Sequence, residues 1–232
     1  MVRVLSGIPE IDELEDRLAQ PLPARVTSID RVPAGATGIE ISRRTRGLEH
    51  LARYSSVRRV VARSVGDEEL EQIARIAPLE NLELVDLKSG NLSALQPLSH
   101  LRILSISNSA RLLSLDGIEG MGKLQLLSAS NAQRLASIEA VASLRDLRVL
   151  FLAGGMYRSM RIPSLRPIAR LNQLVKLVLM NVGVADRSLS PLSGLKNLRR
   201  LTLPRYFPAE EFAMLERELP EAEGDWRAAF KS

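Results

Sequence analysis

The triplet L-x-x-L-x-L recurs at near-constant spacing from about Val57 to Leu203, and it restricts the fold to a stack of similar turns. Leu82–Val85–Leu87, Leu101–Leu104–Ile106, Leu124–Leu127–Ala129, Leu147–Leu150–Leu152, Leu174–Leu177–Leu179 and Leu198–Leu201–Leu203 fit it, with first positions 19, 23, 23, 27 and 24 residues apart. A unit of this size cannot bury its own apolar face and must stack on its neighbours as a solenoid. Val57–Val60–Ala62 and, with a poorer match, Ala36–Ile39–Ile41 extend the array upstream at spacings of 21 and 25 residues, for an expected eight strands.

Three positions before the motifs stands another apolar column: Tyr54, Leu79, Leu98, Met121, Leu144, Leu171 and Leu195. Pairs such as Leu92 and Leu95, Leu112 and Leu115, Leu135 and Ile138, or Ile162 and Leu165 follow the strands and are expected to fill the core from the outer side of each turn. Each fully buried leucine contributes roughly 2 kcal/mol before entropy is counted. The outer segments are expected to hold short helices or 3₁₀ turns. The best helix runs from Asp67 to Ile76, acidic at its start, with Arg75 late and Pro78 beyond.

Apolar residues make up 45% of the chain and aromatics only 3%, so the interior must be aliphatic. The absence of cysteine excludes disulfides, thiolate metal sites and cysteine nucleophiles. No secretory leader or membrane-spanning run is legible, and a cytoplasmic location is expected. The net charge of +5 is uneven: residues 43–63 hold Arg43, Arg44, Arg46, Arg53, Arg58, Arg59 and Arg63, while residues 210–225 are rich in Glu. A basic end of this kind attracts acidic partners.

Solenoid ends must be sealed. Residues 8–19 read as an amphipathic helix with Ile11, Leu14 and Leu18 on one side, stopped by Pro21 and Pro23. After Pro208, residues 209–219 place Phe212, Leu215 and Leu219 on one face, with Trp226 and Phe230 completing the seal. The expected division is an N-terminal cap with a short helix over 1–35, an array of seven or eight repeats over 36–204 and a C-terminal helical cap over 205–232. All three form one continuous domain.

Segments such as Leu115-Asp116-Gly117-Ile118-Glu119-Gly120-Met121-Gly122-Lys123-Leu124 and Leu192-Ser193-Gly194-Leu195-Lys196-Asn197-Leu198-Arg199-Arg200-Leu201 resemble leucine-rich repeat proteins. The resemblance is to the short bacterial, internalin-like or phosphatase-regulator-like classes and covers about residues 36–203. It implies an α/β fold: a curved horseshoe with parallel strands on the concave face, here with helical caps at both ends. It also implies binding of other proteins on that face. One departure stands out. The family's asparagine at the ninth position is replaced by Gly90, Ser109, Ala132, Gly155 and Val182, while Asn108, Asn131 and Asn181 sit one residue earlier.

Alternate side chains of a strand point to opposite sides, so positions three, five and seven of the template should face outward. They predict a concave apolar stripe of Leu84, Ile103, Leu126 and Val149, widened by Phe151, Val178 and Met180. Small Ser105, Ser107, Ser128 and Ser130 leave the middle open. Arg59, Arg63, Lys176 and Arg200 should flank it as rim charges. A second row, Arg58, Arg102, Arg148 and Arg199, reads as ordinary solvated arginine. An uncovered apolar patch marks an interaction site unless loops fold over it.

Other motifs carry less. Gly117-x4-Gly122-Lys123 matches most of a phosphate-binding loop, but Leu124 stands where Ser or Thr should hold magnesium, and a strand is expected where the loop needs a helix. Ser193-x-x-Lys196 lies in an interrepeat turn. His50 and His100 lack the cysteines or carboxylates of a metal site. No catalytic residue, cofactor or metal is therefore expected. The leading reading is a non-catalytic module that grips a protein or peptide through the concave stripe, as a scaffold or as an inhibitor or immunity-type protein. The alternative is an anionic polymer such as nucleic acid bound by the Arg-rich end. The scarcity of aromatics and the apolar centre weigh against it.

Overall fold

Each repeat sets one short strand beside the next, because its inward side chains and backbone polar groups find partners only in neighbouring turns. The structure, a computed structural model, describes residues 7–228. Its strands are β1 (Gly38–Ser42), β2 (Arg59–Arg63), β3 (Asn81–Val85), β4 (Ile103–Ser107), β5 (Leu126–Ser130), β6 (Val149–Ala153), β7 (Met160–Ile162), β8 (Lys176–Met180), β9 (Val182–Val184) and β10 (Arg200–Thr202). Eight of them make one parallel sheet in chain order, β1-β2-β3-β4-β5-β6-β8-β10, and β7 pairs with β9 in a second small sheet. One face of the large sheet packs on the aliphatic core, where Leu104, Leu127, Leu150 and Leu177 are fully buried. Outer turns close the core from behind, several as 3₁₀ segments such as Ser93–Leu95 and Arg166–Arg170.

The third repeat is displaced from the sequence expectation by three residues. Leu82 is in register with Val60 and Leu104, and Leu84 with Ala62 and Ile106. The working template there is Leu79-x-x-Leu82-x-Leu84, which evens the spacing to 22 residues on both sides. Leu84 is consequently a fully buried core residue and does not belong to the open face. Asn81, Glu83 and Val85 occupy its outward positions, in register with Ile103, Ser105 and Ser107.

The displaced asparagines also have a backbone reason. Ser64, Asp86, Asn108, Asn131 and Asn181 each follow a strand directly, and all have φ between 51° and 59°. Asn and Asp tolerate this left-handed conformation best among residues with a Cβ. The N–H of Asn108 still donates to the Ser130 carbonyl and that of Asn131 to the Ala153 carbonyl, so the ladder continues through the bend. Gly154 follows β6 at the matching position without the left-handed φ; close packing requires the glycine there, since a Cβ would lie 2.3 Å from the Asn181 carbonyl oxygen.

Helix α1 (Pro9–Ala19) precedes the strands, and α2 (Asp67–Ile73) fills an outer turn, with the Glu69 carboxylate accepting the Gly66 N–H at 2.7 Å. Helix α3 (Ala209–Glu218) buries Phe212 and Leu215 against the end of the core. Glu223 bridges the free edge of β10, and Trp226 is buried behind it; Phe230 lies outside the described residues. At the other end the edge of β1 is covered by the extended segment 24–28: the Val26 N–H donates to the Glu40 carbonyl, and past the end of β1 the Ile29 N–H donates to the Arg46 carbonyl. The expected N-terminal helical cap is thus corrected. An extended segment seals that end, and α1 lies elsewhere. No helix among the described residues is long and apolar enough to cross a membrane.

Candidate binding face

Helix α1 lies on the open face of the large sheet. Its pattern Ile8, Ile11, Leu14, Leu18 forms the apolar side of a short helix, and a helix buries that side against whatever apolar surface is in reach. Here the surface is the stripe Ile103, Leu126 and Val149, with Val175 at its margin. These three stripe residues do line up in register on β4, β5 and β6, as the alternation requires. All three are nevertheless buried, at 1–3% exposure, because α1 covers them.

Polar contacts orient the helix. Glu15 Oε1 accepts from Lys176 Nζ at 2.6 Å, Glu10 pairs with Arg148, and Arg17 donates to Glu80 at 3.1 Å. Arg59 donates to the carbonyls of Pro21 and Gln20 at 2.9 and 3.1 Å, just past the helix C-terminus, where a cation is favourable, and also to Glu83 at 2.7 Å. The helix therefore crosses the strands, its start over β6 and β8 and its end over β2 and β3.

The expected rim charges are thus engaged within the molecule. Arg59 and Lys176 hold α1 and its exit. Arg63 donates to Glu40 at 3.0 Å, and Arg200 pairs with Glu223. Arg148 and Arg199, read from sequence as solvated, pair with Glu10 and Glu221. Arg43, Arg44, Arg46 and Arg53 remain exposed around the β1 end.

Beside α1, over the C-terminal halves of the strands, a groove of about 990 Å³ stays open. Ser105, Ser107, Ser128 and Ser130 floor it, Phe151 and Met180 stand on its far side, and Leu18 and Ala19 of α1 form the near wall. Ser105, Ser128, Phe151 and Val178 share one register line, although Ser128 and Val178 are largely covered. Met180 is 51% exposed.

Sequence reasoning missed Met156 and Tyr157, which are 86% and 92% exposed in the loop that follows β6. Met156 borders the groove. The signal was the 27-residue spacing between Leu147 and Leu174, the longest of the series, which accommodates this excursion and β7.

The motifs set aside as chemistry have structural partners. The Gly117 N–H donates to Glu119 at 2.7 Å and the chain past Leu124 enters β5, so no helix follows the glycines. Ser193 Oγ donates to the Ser190 carbonyl and Lys196 Nζ to the Glu218 carbonyl, each turned to a different neighbour. Asp86 and Tyr206 have shifted titration, and neither lines the groove. Hydrogen bonds from Lys88 and Ser64 hold Asp86 below the usual carboxylate range. Burial raises Tyr206, whose hydroxyl oxygen accepts the Val184 N–H at 2.6 Å.

Solved structures with this architecture are leucine-rich repeat proteins. A leucine-rich repeat protein of Leptospira interrogans superposes with a TM-score of 0.54 at 18% identity, over 94% of this chain and 63% of its own. An internalin of Listeria monocytogenes superposes with a TM-score of 0.51 at 18% identity, over 82% of this chain and 60% of its own. This chain therefore spans about three-fifths of the length of each. No protein-family model matches the sequence, and no curated protein is significantly similar to it.

Proposed function

We propose that this leucine-rich repeat chain is a non-catalytic interaction module that takes a protein or peptide partner on its open face, in the groove beside α1. The observation that carries this reading is the grouping of Phe151, Met156 and Met180 around a serine-floored groove. Met156 and Met180 are exposed and Phe151 is half-buried at the edge of this concavity; apolar side chains so placed are what a partner desolvates, and such anchors dominate binding energy. The small serine side chains leave room for backbone or side chains of the partner and supply hydrogen bonds to it. A scaffold role or an inhibitor or immunity-type role follows from what that partner does.

The test is affinity capture with the intact chain, followed by titration calorimetry with the captured protein. Phe151→Ala weakens binding by about 2 kcal/mol or more, and Met180→Ala weakens it less, while both variants keep the wild-type melting profile. Charge reversal at Arg43 and Arg44 leaves affinity unchanged at physiological salt. The opposite pattern, with Phe151→Ala binding like wild type and the arginine variants losing a steeply salt-dependent affinity, would move the site to the basic end and favour an anionic polymer.

A further inference from the structure

We propose that α1 is an exchangeable occupant of the open face, and that its seat takes in its place an acidic amphipathic helix of a partner protein. This deepens the reading above by naming the partner's chemistry.

Four observations carry it. First, α1 is energetically separate from the array. Ile11 and Leu14 join Ile103, Leu126 and Val149 in an apolar cluster of their own, while the main core on the other side of the sheet is filled without them. Lifting α1 therefore opens no cavity among the stacked leucines. Second, an 11-residue helix is marginal in water by itself, so α1 owes its helical state to docking. It is joined to the array through Gln20, Pro21 and Leu22, all exposed, and the backbone bonds to the sheet edge begin only at Ala24.

Third, the seat selects charge. With α1 lifted, Lys176 and Arg148 face outward beside the apolar stripe, and they call for two carboxylates spaced as Glu10 and Glu15 are. Glu80 at the other end calls for a cation two residues past the second carboxylate, where Arg17 stands. Apolar residues at the spacing of Ile8, Ile11, Leu14 and Leu18 complete the ligand. Fourth, α1 leaves part of the face unused. Phe151 and Met180 border the open groove next to Leu18. A partner helix with larger apolar residues on that flank would cover them as well as Leu126 and Val149, and this difference lets it displace α1, which is tethered at high effective concentration.

The experiment uses the full chain and, as probe, a fluorescein-labelled peptide of the α1 sequence, residues 8–20. In the wild type, amides of residues 9–19 exchange with deuterium at least tenfold faster than those of β4, β5 and β6. Ile11→Asp with Leu14→Asp releases α1 without unfolding the sheet, and the peptide binds this variant at least tenfold more tightly than it binds wild type. Adding Lys176→Glu weakens the peptide at least tenfold, and a peptide carrying Lys at the position of Glu15 recovers the loss. The captured partner competes with the peptide. Exchange of α1 only together with the sheet, unfolding of the Ile11→Asp, Leu14→Asp chain, or a folded variant that ignores the peptide overturns the exchange. A partner that fails to compete, or an α1 seated on a second copy as a concentration-dependent dimer, overturns the assignment of the occupant. In each of those cases a partner whose binding is still weakened by Phe151→Ala leaves the proposed function standing.

Discussion

Glu15 and Lys176 are 161 residues apart in the chain, and their side chains meet at 2.6 Å in a setting where they are only 7% and 14% exposed. The pair pins the N-terminal helix to β8. Removing one member leaves the other charge largely enclosed and unpaired, which costs more than the pair itself contributes. Glu15→Ala and Lys176→Ala should each weaken the docking of α1 by about 1–3 kcal/mol, read as a rise of roughly five- to 150-fold in the exchange rate of the α1 amides. The double variant should be no worse than the worse single one, because the two share one interaction.

The inside–outside phase of the third repeat can be checked by truncation. Leu84, Leu127 and Leu150 are all fully buried. Each should lose about 2–5 kcal/mol on substitution by Ala in a urea melt. Ser130, which lines the groove, should stay within about 0.5 kcal/mol of wild type on substitution by Ala. A near-neutral Leu84→Ala would return that residue to the open face and shift β3 by three positions.

Gly117 and Gly122 belong to the same phosphate-loop-like motif, yet their surroundings differ. A Cβ on Gly117 would lie 2.3 Å from the Leu92 carbonyl, and its φ is +110°, whereas a Cβ on Gly122 meets nothing within 4 Å. Gly117→Ala should therefore cost upwards of about 2 kcal/mol, from backbone strain and the clash, and Gly122→Ala should remain within about 0.5 kcal/mol. Thermal melts of the two variants give the comparison. Losses of equal size would mean that the motif has a role beyond the turn geometry.

Asp86 offers a pH test. Its carboxylate accepts from Lys88 Nζ at 2.6 Å and from Ser64 Oγ at 2.7 Å, and these bonds hold its folded pKa below the ordinary value. A depressed carboxylate stabilises the fold above its unfolded pKa, and the contribution fades as pH falls through the folded one. Wild type should therefore be more stable than Asp86→Asn at pH 6, and the gap should narrow towards pH 3. The site is open to solvent, so the effect is small. Urea midpoints of both proteins at the two pH values measure it, and a gap that widens on acidification would contradict the sign.

What could be read from the residues alone was the period. Leucines such as Leu104, Leu127, Leu150 and Leu177 recur because each must meet the same neighbour in the next turn, so spacing and alternation already imply a parallel stack with Ile103, Leu126 and Val149 on its far face. Two matters were decided only in three dimensions. The segment Leu79-x-x-Leu82-x-Leu84-Val85-x-Leu87 satisfies the template in two registers, and the choice falls to the hydrogen bonds and packing offered by β2 and β4, which a one-dimensional pattern does not contain. The amphipathic stretch Ile8–Ala19 announces that one side will be buried but not against what, because apolar attraction is non-directional. The end of the stack and its open face were both apolar candidates. The extended segment 24–28 pairs with the edge of β1 through backbone bonds and thereby closes the end. That left the open face, where Lys176 and Arg148 matched the carboxylates of the helix, as the surface on which α1 came to rest.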